Sequence, residues 1–127
     1  MLAVQDLNVF YGAIHALKGI SFHLEQGEIV TLIGANGAGK STTLNALSGI
    51  LPSQSGKVIF EGADITRMPA PEIVRMGIVQ VPEGRKIFAT LTVMENLEIG
   101  AYTQRDKTQI QDDIEYTMQL FPRLKER

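Results

Sequence analysis

An apolar run, a glycine-rich turn and a helix follow one another from residue 29 to residue 51, and this order restricts the fold more than any other feature. Residues 29–33 are mostly apolar and end abruptly at Gly34, which is typical of a strand buried on both faces of a parallel sheet. From Ser41 to about Leu51 the leucines recur at helical spacing. The sequence therefore predicts a strand, a glycine-rich loop and a helix, in that order.

The loop fits the pattern G-x-x-x-x-G-K-[ST], in which every fixed position serves the binding of phosphate. Glycines let the backbone approach phosphate oxygens, and the start of the following helix adds partial positive charge. Lys40 is expected to reach the β- and γ-phosphates, Ser41 to ligate Mg²⁺, and Thr42 to bind near the α- and β-phosphates. The candidate nucleotide-binding residues are Gly34, Ala35, Asn36, Gly37, Ala38, Gly39, Lys40, Ser41 and Thr42. The alternative, a structural turn with an incidental lysine, is disfavoured because both flanking elements fit.

The rest of the chain predicts short strands and amphipathic helices. Ile20, Phe22 and Leu24 alternate with polar residues, which indicates a half-buried strand. Thr92 and Glu95 have the spacing of a capping box that opens a helix running towards residue 100. Further strands are predicted at 58–60 and 78–81, and further helices at 72–76 and 108–120.

Composition excludes several functional classes. Twelve Lys and Arg balance fourteen Asp and Glu, for a net charge of −2, so the chain lacks the broad basic field of a nucleic-acid-binding protein. The absence of cysteine excludes disulfides, cysteine-based zinc sites and iron–sulfur clusters. The apolar stretches are shorter than the roughly 20 residues that span a bilayer, and no export signal opens the chain. We therefore expect a cytosolic protein without a nucleic-acid partner.

The phosphate-binding pattern occurs in several enzyme classes, and two of them fit this sequence poorly. No aspartate begins the D-x-x-G pattern of GTPases, and no guanine-reading [NT]-K-x-D tetrapeptide occurs. In nucleoside-phosphate kinases the phosphate loop lies close to the N-terminus, whereas here two predicted strands precede the strand that leads into it. A soluble kinase remains as an alternative, but its acceptor site and lid arginines are not found.

Several further segments resemble the nucleotide-binding subunits of ABC transporters. The matching residues are Tyr11-Gly12, 16–22, 27–29, 55–58, Gln80 and 91–97, so the resemblance covers essentially the whole chain. Residues 77–88 look most like the ATP-binding subunits of high-affinity branched-chain amino-acid importers. The resemblance implies an α/β fold, with a P-loop NTPase core of the ABC ATPase type and an N-terminal antiparallel β subdomain. Residues 1–127 would form a partial nucleotide-binding domain, truncated before the signature helix and the Walker B strand.

The resemblance also implies roles for individual residues. Tyr11 occupies the family's adenine-stacking position, although it could be an ordinary packing tyrosine. Gln80 aligns with the family's glutamine that meets Mg²⁺ and the attacking water. It is therefore a candidate catalytic residue, together with Lys40, and a candidate metal ligand, together with Ser41. The alternative is a surface glutamine. The charged loop Glu83, Arg85 and Lys86 either faces a membrane partner or is simply solvated. His15 and His23 have no partner motif and are expected at exposed strand positions.

The sequence departs from the family pattern in what it lacks. It contains no Leu-Ser-Gly-Gly-Gln-type signature, no apolar run ending in Asp-Glu and no later switch histidine. Residues 47–49 read Leu-Ser-Gly but lack the rest of the signature. We therefore expect this chain to bind MgATP but not to hydrolyse it alone.

By resemblance, the expected function is coupling of ATP binding and hydrolysis to amino-acid import, with branched-chain amino acids as cargo. The expected partners are a second ATP-binding subunit and transmembrane permease subunits, which would hold the protein peripherally at the cytoplasmic face of the inner membrane. The alternatives are an inactive nucleotide-binding remnant and an ABC ATPase for another cargo, such as lipopolysaccharide export.

Overall fold

The computed structural model of the chain describes residues 1–84 and 86–126. Two compact units divide the chain, Met1–Gln80 and Val81–Arg127. Arg85, which belongs to the predicted charged loop, lies outside the described residues.

A four-stranded antiparallel sheet forms the centre of the first unit. Its strands are β1 (Leu2–Tyr11), β2 (Ile14–Leu24), β3 (Ser55–Phe60) and β4 (Ala63–Asp64), in the spatial order β2-β1-β3-β4. The predicted strand around Ile20 is confirmed within β2, and the strand predicted at 58–60 is confirmed within β3. The expected antiparallel β subdomain is therefore present.

A bulge in β1 lets the strand bury side chains that do not alternate. Val4 and Leu7 are both buried although they stand three positions apart, so a regular strand would place them on opposite faces. The register with β2 shifts between these residues, and Asp6 has φ 45°. Ser21 Oγ accepts a 2.8 Å hydrogen bond from the Asp6 amide, which satisfies a donor that the irregular strand leaves free.

Two helices pack with the sheet, α1 (Lys40–Leu47) and α2 (Ala70–Arg75). The buried core joins strands β1, β2 and β3 to α2 and consists of Val4, Leu7, Val9, Leu17, Val58, Ile65 and Ile73. Helix α1 ends before the predicted Leu51 because Gly49 turns the backbone to φ +73°. A Cβ at Gly49 would lie 2.8 Å from Ile73 Cδ1, so this close approach of α2 requires glycine.

The strands predicted at 29–33 and 78–81 are not strands in the structure. Ile29 is 95% exposed and Ile33 is 92% exposed, the opposite of the predicted burial. A strand needs a neighbouring backbone to complete its hydrogen bonds. Among the described residues the antiparallel sheet is the only sheet, so neither segment has a strand beside it.

The second unit is helical, with α3 (Val93–Gly100), α4 (Lys107–Leu120) and a 3-10 turn at Pro122–Leu124. The predicted capping box is confirmed: Thr92 Oγ1 accepts from the Glu95 amide, and the Glu95 carboxylate accepts from the Thr92 amide at 2.7 Å. The Thr92 amide, together with the Thr92 hydroxyl, lowers the pKa of Glu95. Asp106 caps α4 by accepting a 2.9 Å hydrogen bond from the Thr108 amide.

Candidate nucleotide-binding site

Lys40 is the first residue of α1, and its side chain lies back across the glycine-rich loop. Its ammonium donates to the Gly34 carbonyl oxygen at 2.7 Å and to the Ala35 carbonyl oxygen at 2.8 Å. No acidic residue occupies the first turn of α1, so nothing in that turn offsets the positive end of the helix. The full charge of Lys40 and the helix dipole therefore act at the same loop, which favours an anion there.

Gly39 joins this loop to α1 in a conformation that only glycine adopts without strain. Its φ is +92°, and a Cβ here would lie 2.6 Å from Leu17 Cδ2 and 3.2 Å from the Ala16 carbonyl oxygen. Thr43 is buried, and its amide and hydroxyl both donate to the Gly39 carbonyl oxygen, at 2.8 and 2.9 Å. The end of the loop is thus fixed against β2 and held by the first turn of the helix.

A cleft of about 610 Å³ lies between the β1–β2 hairpin and the start of α1. Tyr11 and Thr42 border it, and the Tyr11 hydroxyl lies 3.4 Å from Thr42 Oγ1. Tyr11 is 46% exposed, so it is not an ordinary buried packing residue. The cleft places an aromatic side chain beside the end of the phosphate-type loop, which suits a ligand with a flat ring attached to phosphates.

His15 borders the same cleft and is half-buried, so the expectation that it is exposed was wrong. Its Nε2 lies 2.9 Å from Asn8 Oδ1, and its ring stacks on Phe10 with centroids 4.0 Å apart. This residue contributes to the wall of the cleft through packing within the hairpin. His23 is exposed, as expected.

Gln80 does not join the residues at the start of α1. Its carboxamide is bonded to α1 near the other end: Ser48 Oγ donates to Gln80 Oε1 at 2.5 Å, and Gln80 Nε2 donates to Asn45 Oδ1 at 3.0 Å. Five to eight residues of helix, roughly 8 to 12 Å at about 1.5 Å per residue, separate these partners from Lys40. Ser41, by contrast, lies exposed in the first turn of α1 beside Lys40. The structure thus groups Tyr11 with residues 34–42, and the metal role of Gln80 stays a prediction.

Asn45 and Ser48 are the residues of this region that sequence reasoning missed. They stand three positions apart, so they lie on the same side of the helix, and each directly follows a leucine, Leu44 or Leu47. The sequence signal that could have identified them is this pair of polar residues three positions apart. No neighbouring residue indicated that Gln80 would be their partner.

The model of the ABC transporter family matches residues 17–125 of this chain. The chain belongs to the ABC transporter family. The chain is 48% identical to the high-affinity branched-chain amino acid transport ATP-binding protein BraG of Pseudomonas aeruginosa, over 100% of its own length and 54% of that protein. It is 37% identical to the probable branched-chain amino acid transport ATP-binding protein LivF of Archaeoglobus fulgidus, over 98% of its length and 52% of that protein. This chain thus spans about half the length of these relatives.

The fold comparison agrees with the sequence comparison. A solved structure of an ATP-binding subunit of an ABC transporter superposes on the whole chain and on 52% of its own length, with a TM-score of 0.84 and 30% identity. The predicted ABC ATPase fold class is therefore confirmed. Among the described residues no helix has both the length and the apolar character needed to traverse a bilayer.

Proposed function

We propose that this chain is the MgATP-binding part of an ATP-binding subunit that drives amino-acid import, with branched-chain amino acids as the cargo. The observation that carries the proposal is the position of the Lys40 ammonium, which lies across the loop at the start of α1 and next to the Tyr11–Thr42 cleft. The cargo is proposed from the transport named for BraG and LivF. Residues 1–127 would form part of one nucleotide-binding domain.

Each part of MgATP has a matching group in the site. Adenine would stack on Tyr11, and the phosphates would lie on the backbone of the loop from Gly34 to Gly39. Lys40 would neutralise the β- and γ-phosphates, while the Ser41 hydroxyl would ligate Mg²⁺ and Thr42 would bind near the α- and β-phosphates. Because these residues run from the hairpin edge into one helix turn, they can contact one extended nucleotide.

Hydrolysis would require groups that residues 1–127 do not supply. The sequence contains neither a signature motif nor an Asp-Glu pair after an apolar run, so no general base for the attacking water is evident. We propose that a second ATP-binding subunit faces this loop and that Gln80 meets the metal or the water only during turnover. Transmembrane permease subunits would bind the cargo and hold the protein at the cytoplasmic face of the membrane.

An inactive nucleotide-binding remnant and an export ATPase for lipopolysaccharide are the competing functions. Both would keep the loop and the cleft. Neither is favoured by the named relatives, which are branched-chain amino-acid transport proteins.

The proposal is tested by titrating MgATP into the protein and into its Lys40→Ala variant. Loss of a charge-assisted hydrogen bond to phosphate, worth about 1.5 to 3 kcal/mol, should raise the Kd roughly 10- to 100-fold. Lys107→Ala removes an exposed lysine at the start of α4 and should leave the Kd unchanged. Circular dichroism checks that both variants fold. Equal affinity of wild type and Lys40→Ala would overturn the assignment.

A further inference from the structure

Tyr11, on which the base would stack in the proposed site, is held only loosely by its own contacts. Its hydroxyl lies 3.4 Å from Thr42 Oγ1, which is longer than an ordinary O–H···O hydrogen bond, and its side chain is exposed. Tyr11 is the last residue of β1, and Gly12 follows it with φ +57°. A Cβ at Gly12 would meet no atom within 4 Å, so no described residue packs against this point of the turn. The direction of the Tyr11 ring therefore depends on the backbone at the end of the hairpin.

The ladder between β1 and β2 is irregular just before the end of the hairpin. Its register shifts between Val9 and Phe10, after which two pairs remain, Phe10 opposite His15 and Tyr11 opposite Ile14. Ile14 is 70% exposed, so the last pair has little packing. The rings of Phe10 and His15, by contrast, stack with centroids 4.0 Å apart and planes 8° from parallel. Cross-strand contacts of this kind stabilise a hairpin, so this pair holds the two strands together next to Tyr11.

His15 is itself fixed to the body of the sheet by hydrogen bonds. Asn8 Nδ2 donates to the Asp6 carbonyl oxygen at 2.8 Å, which directs Asn8 Oδ1 towards His15. Because a carboxamide oxygen can only accept, His15 Nε2 donates the 2.9 Å hydrogen bond between them. Asp6 lies in the bulge of β1, and its amide donates to Ser21 Oγ of β2. The His15 ring is thus bonded, through Asn8, to a part of the sheet that both strands stabilise.

The position of the stacked pair gives it a consequence for the base. Successive residues of a strand project to opposite faces, so the rings of Phe10 and Tyr11 lie on opposite sides of β1. The pair can therefore fix the backbone that carries Tyr11 without offering a surface to the base. Resting on the proposed nucleotide site, we propose that His15 is a positioning residue, whose stacking on Phe10 and hydrogen bond to Asn8 hold the hairpin end so that the Tyr11 ring faces the base.

The experiment is a double-mutant cycle on the full-length protein, with the Kd for MgATP measured by calorimetric titration. His15→Ala removes the stacked ring and the donor, and should raise the Kd about three- to tenfold. In the Tyr11→Ala background the same change should raise the Kd by less than about twofold, because no ring is left to position. Phe10→Leu removes the other ring of the stack and should show the same dependence on Tyr11.

Two further variants serve as controls. His15→Phe keeps an aromatic ring opposite Phe10 and should bind MgATP within about twofold of wild type. His23→Ala removes an exposed histidine of the same strand and should leave the Kd unchanged. Circular dichroism and Tm measurements check that each variant folds, and the cycle is read from Phe10→Leu if His15→Ala does not.

The outcomes separate the positioning role from its alternatives. Equal increases in the Kd in both backgrounds would overturn the proposal, because His15 would then act on the ligand directly or through a general loss of stability. An unchanged Kd in His15→Ala, or in Tyr11→Ala, would overturn it as well. Failure of the wild type to bind MgATP would defeat the proposed function instead. An effect of His15→Ala that is confined to the background with the Tyr11 ring, and is absent in His15→Phe, supports the positioning role.

Discussion

The Tyr11 hydroxyl lies 3.4 Å from Thr42 Oγ1, which brings the end of the first strand next to the first turn of α1. Thirty-one positions separate these residues in the sequence. Their proximity gives the cleft an aromatic wall at the point where the loop ends. In the proposed site, a base and its phosphates would therefore be contacted together.

Replacing Tyr11 by alanine should weaken MgATP binding. Stacking of a base on an aromatic side chain is worth about 1 to 3 kcal/mol, so Tyr11→Ala should raise the Kd roughly 5- to 150-fold. Tyr11→Phe keeps the ring and should bind within about threefold of wild type. Tyr116→Ala, at an exposed position of α4, is the control for loss of a tyrosine. Calorimetric titration measures all three, and unchanged binding by Tyr11→Ala would show that the base lies elsewhere.

Replacing Gly39 by alanine should destabilise the first unit more than the same change at Gly37. Both have positive φ, but a Cβ at Gly39 would meet Leu17 at 2.6 Å, whereas a Cβ at Gly37 would have no neighbour within 4 Å. Gly37→Ala should cost only the backbone strain of about 1 to 2 kcal/mol, and Gly39→Ala should cost more because Leu17 must move. Urea unfolding of the full-length protein compares the two midpoints. Equal midpoints would mean that contact of the new Cβ at position 39 with Leu17 of β2 adds no further loss of stability.

The start of α3 should loosen in acid. The pKa of Glu95 is lowered from its ordinary value of 4.5 by the Thr92 amide and the Thr92 hydroxyl. A carboxylate with a lowered folded pKa contributes stability that is fully present above pH 4.5 and is lost as pH falls through the lower, folded value. The protection factors of amides in the first turn of α3, which correct for the pH dependence of intrinsic exchange, should therefore fall below pH 4.5, as read by mass spectrometry.

Two substitutions on α3 control this prediction. Glu95→Gln removes the titrating group and should flatten the acid dependence of the protection factors in that turn. Glu98→Gln changes a glutamate on the same helix outside the capping box and should leave the dependence as in wild type. An identical acid response in Glu95→Gln would assign the effect to another group.

The features that the sequence predicted correctly depend on neighbours along the chain. The capping box at Thr92 and Glu95 needs only residues three positions apart, so a local pattern was enough to predict it. The candidate site comes mostly from the contiguous residues 34–42, and its role stays a prediction. The tie between Gln80 and α1 could not be predicted, since it joins residues that no local pattern relates. The bulge at Asp6 could not be predicted either. The reason for its register shift is seen only in the structure, where Val4 and Leu7 are both buried.

The two strands that were predicted wrongly failed for a non-local reason. An apolar run at 29–33 or 78–81 indicates that burial of its side chains is favourable. A strand, however, forms only beside another strand. No such neighbour lies among the described residues, so the apolar side chains at Ile29, Ile33 and Val81 are exposed. These apolar side chains therefore form an exposed surface whose contact with water is unfavourable.

That exposure predicts how a polypeptide of residues 1–127 behaves in solution. Exposed apolar segments with unpaired backbone groups associate, so the polypeptide should aggregate rather than melt cooperatively as a monomer. Ile29→Ser combined with Ile33→Ser removes two side chains that are 95% and 92% exposed and should lower aggregation measured by light scattering. Ile50→Ser, at a 63% exposed isoleucine in another segment, should lower it less. A monomeric wild-type polypeptide with one sharp transition would contradict this account, because the exposed run at 29–33 would then need no covering partner.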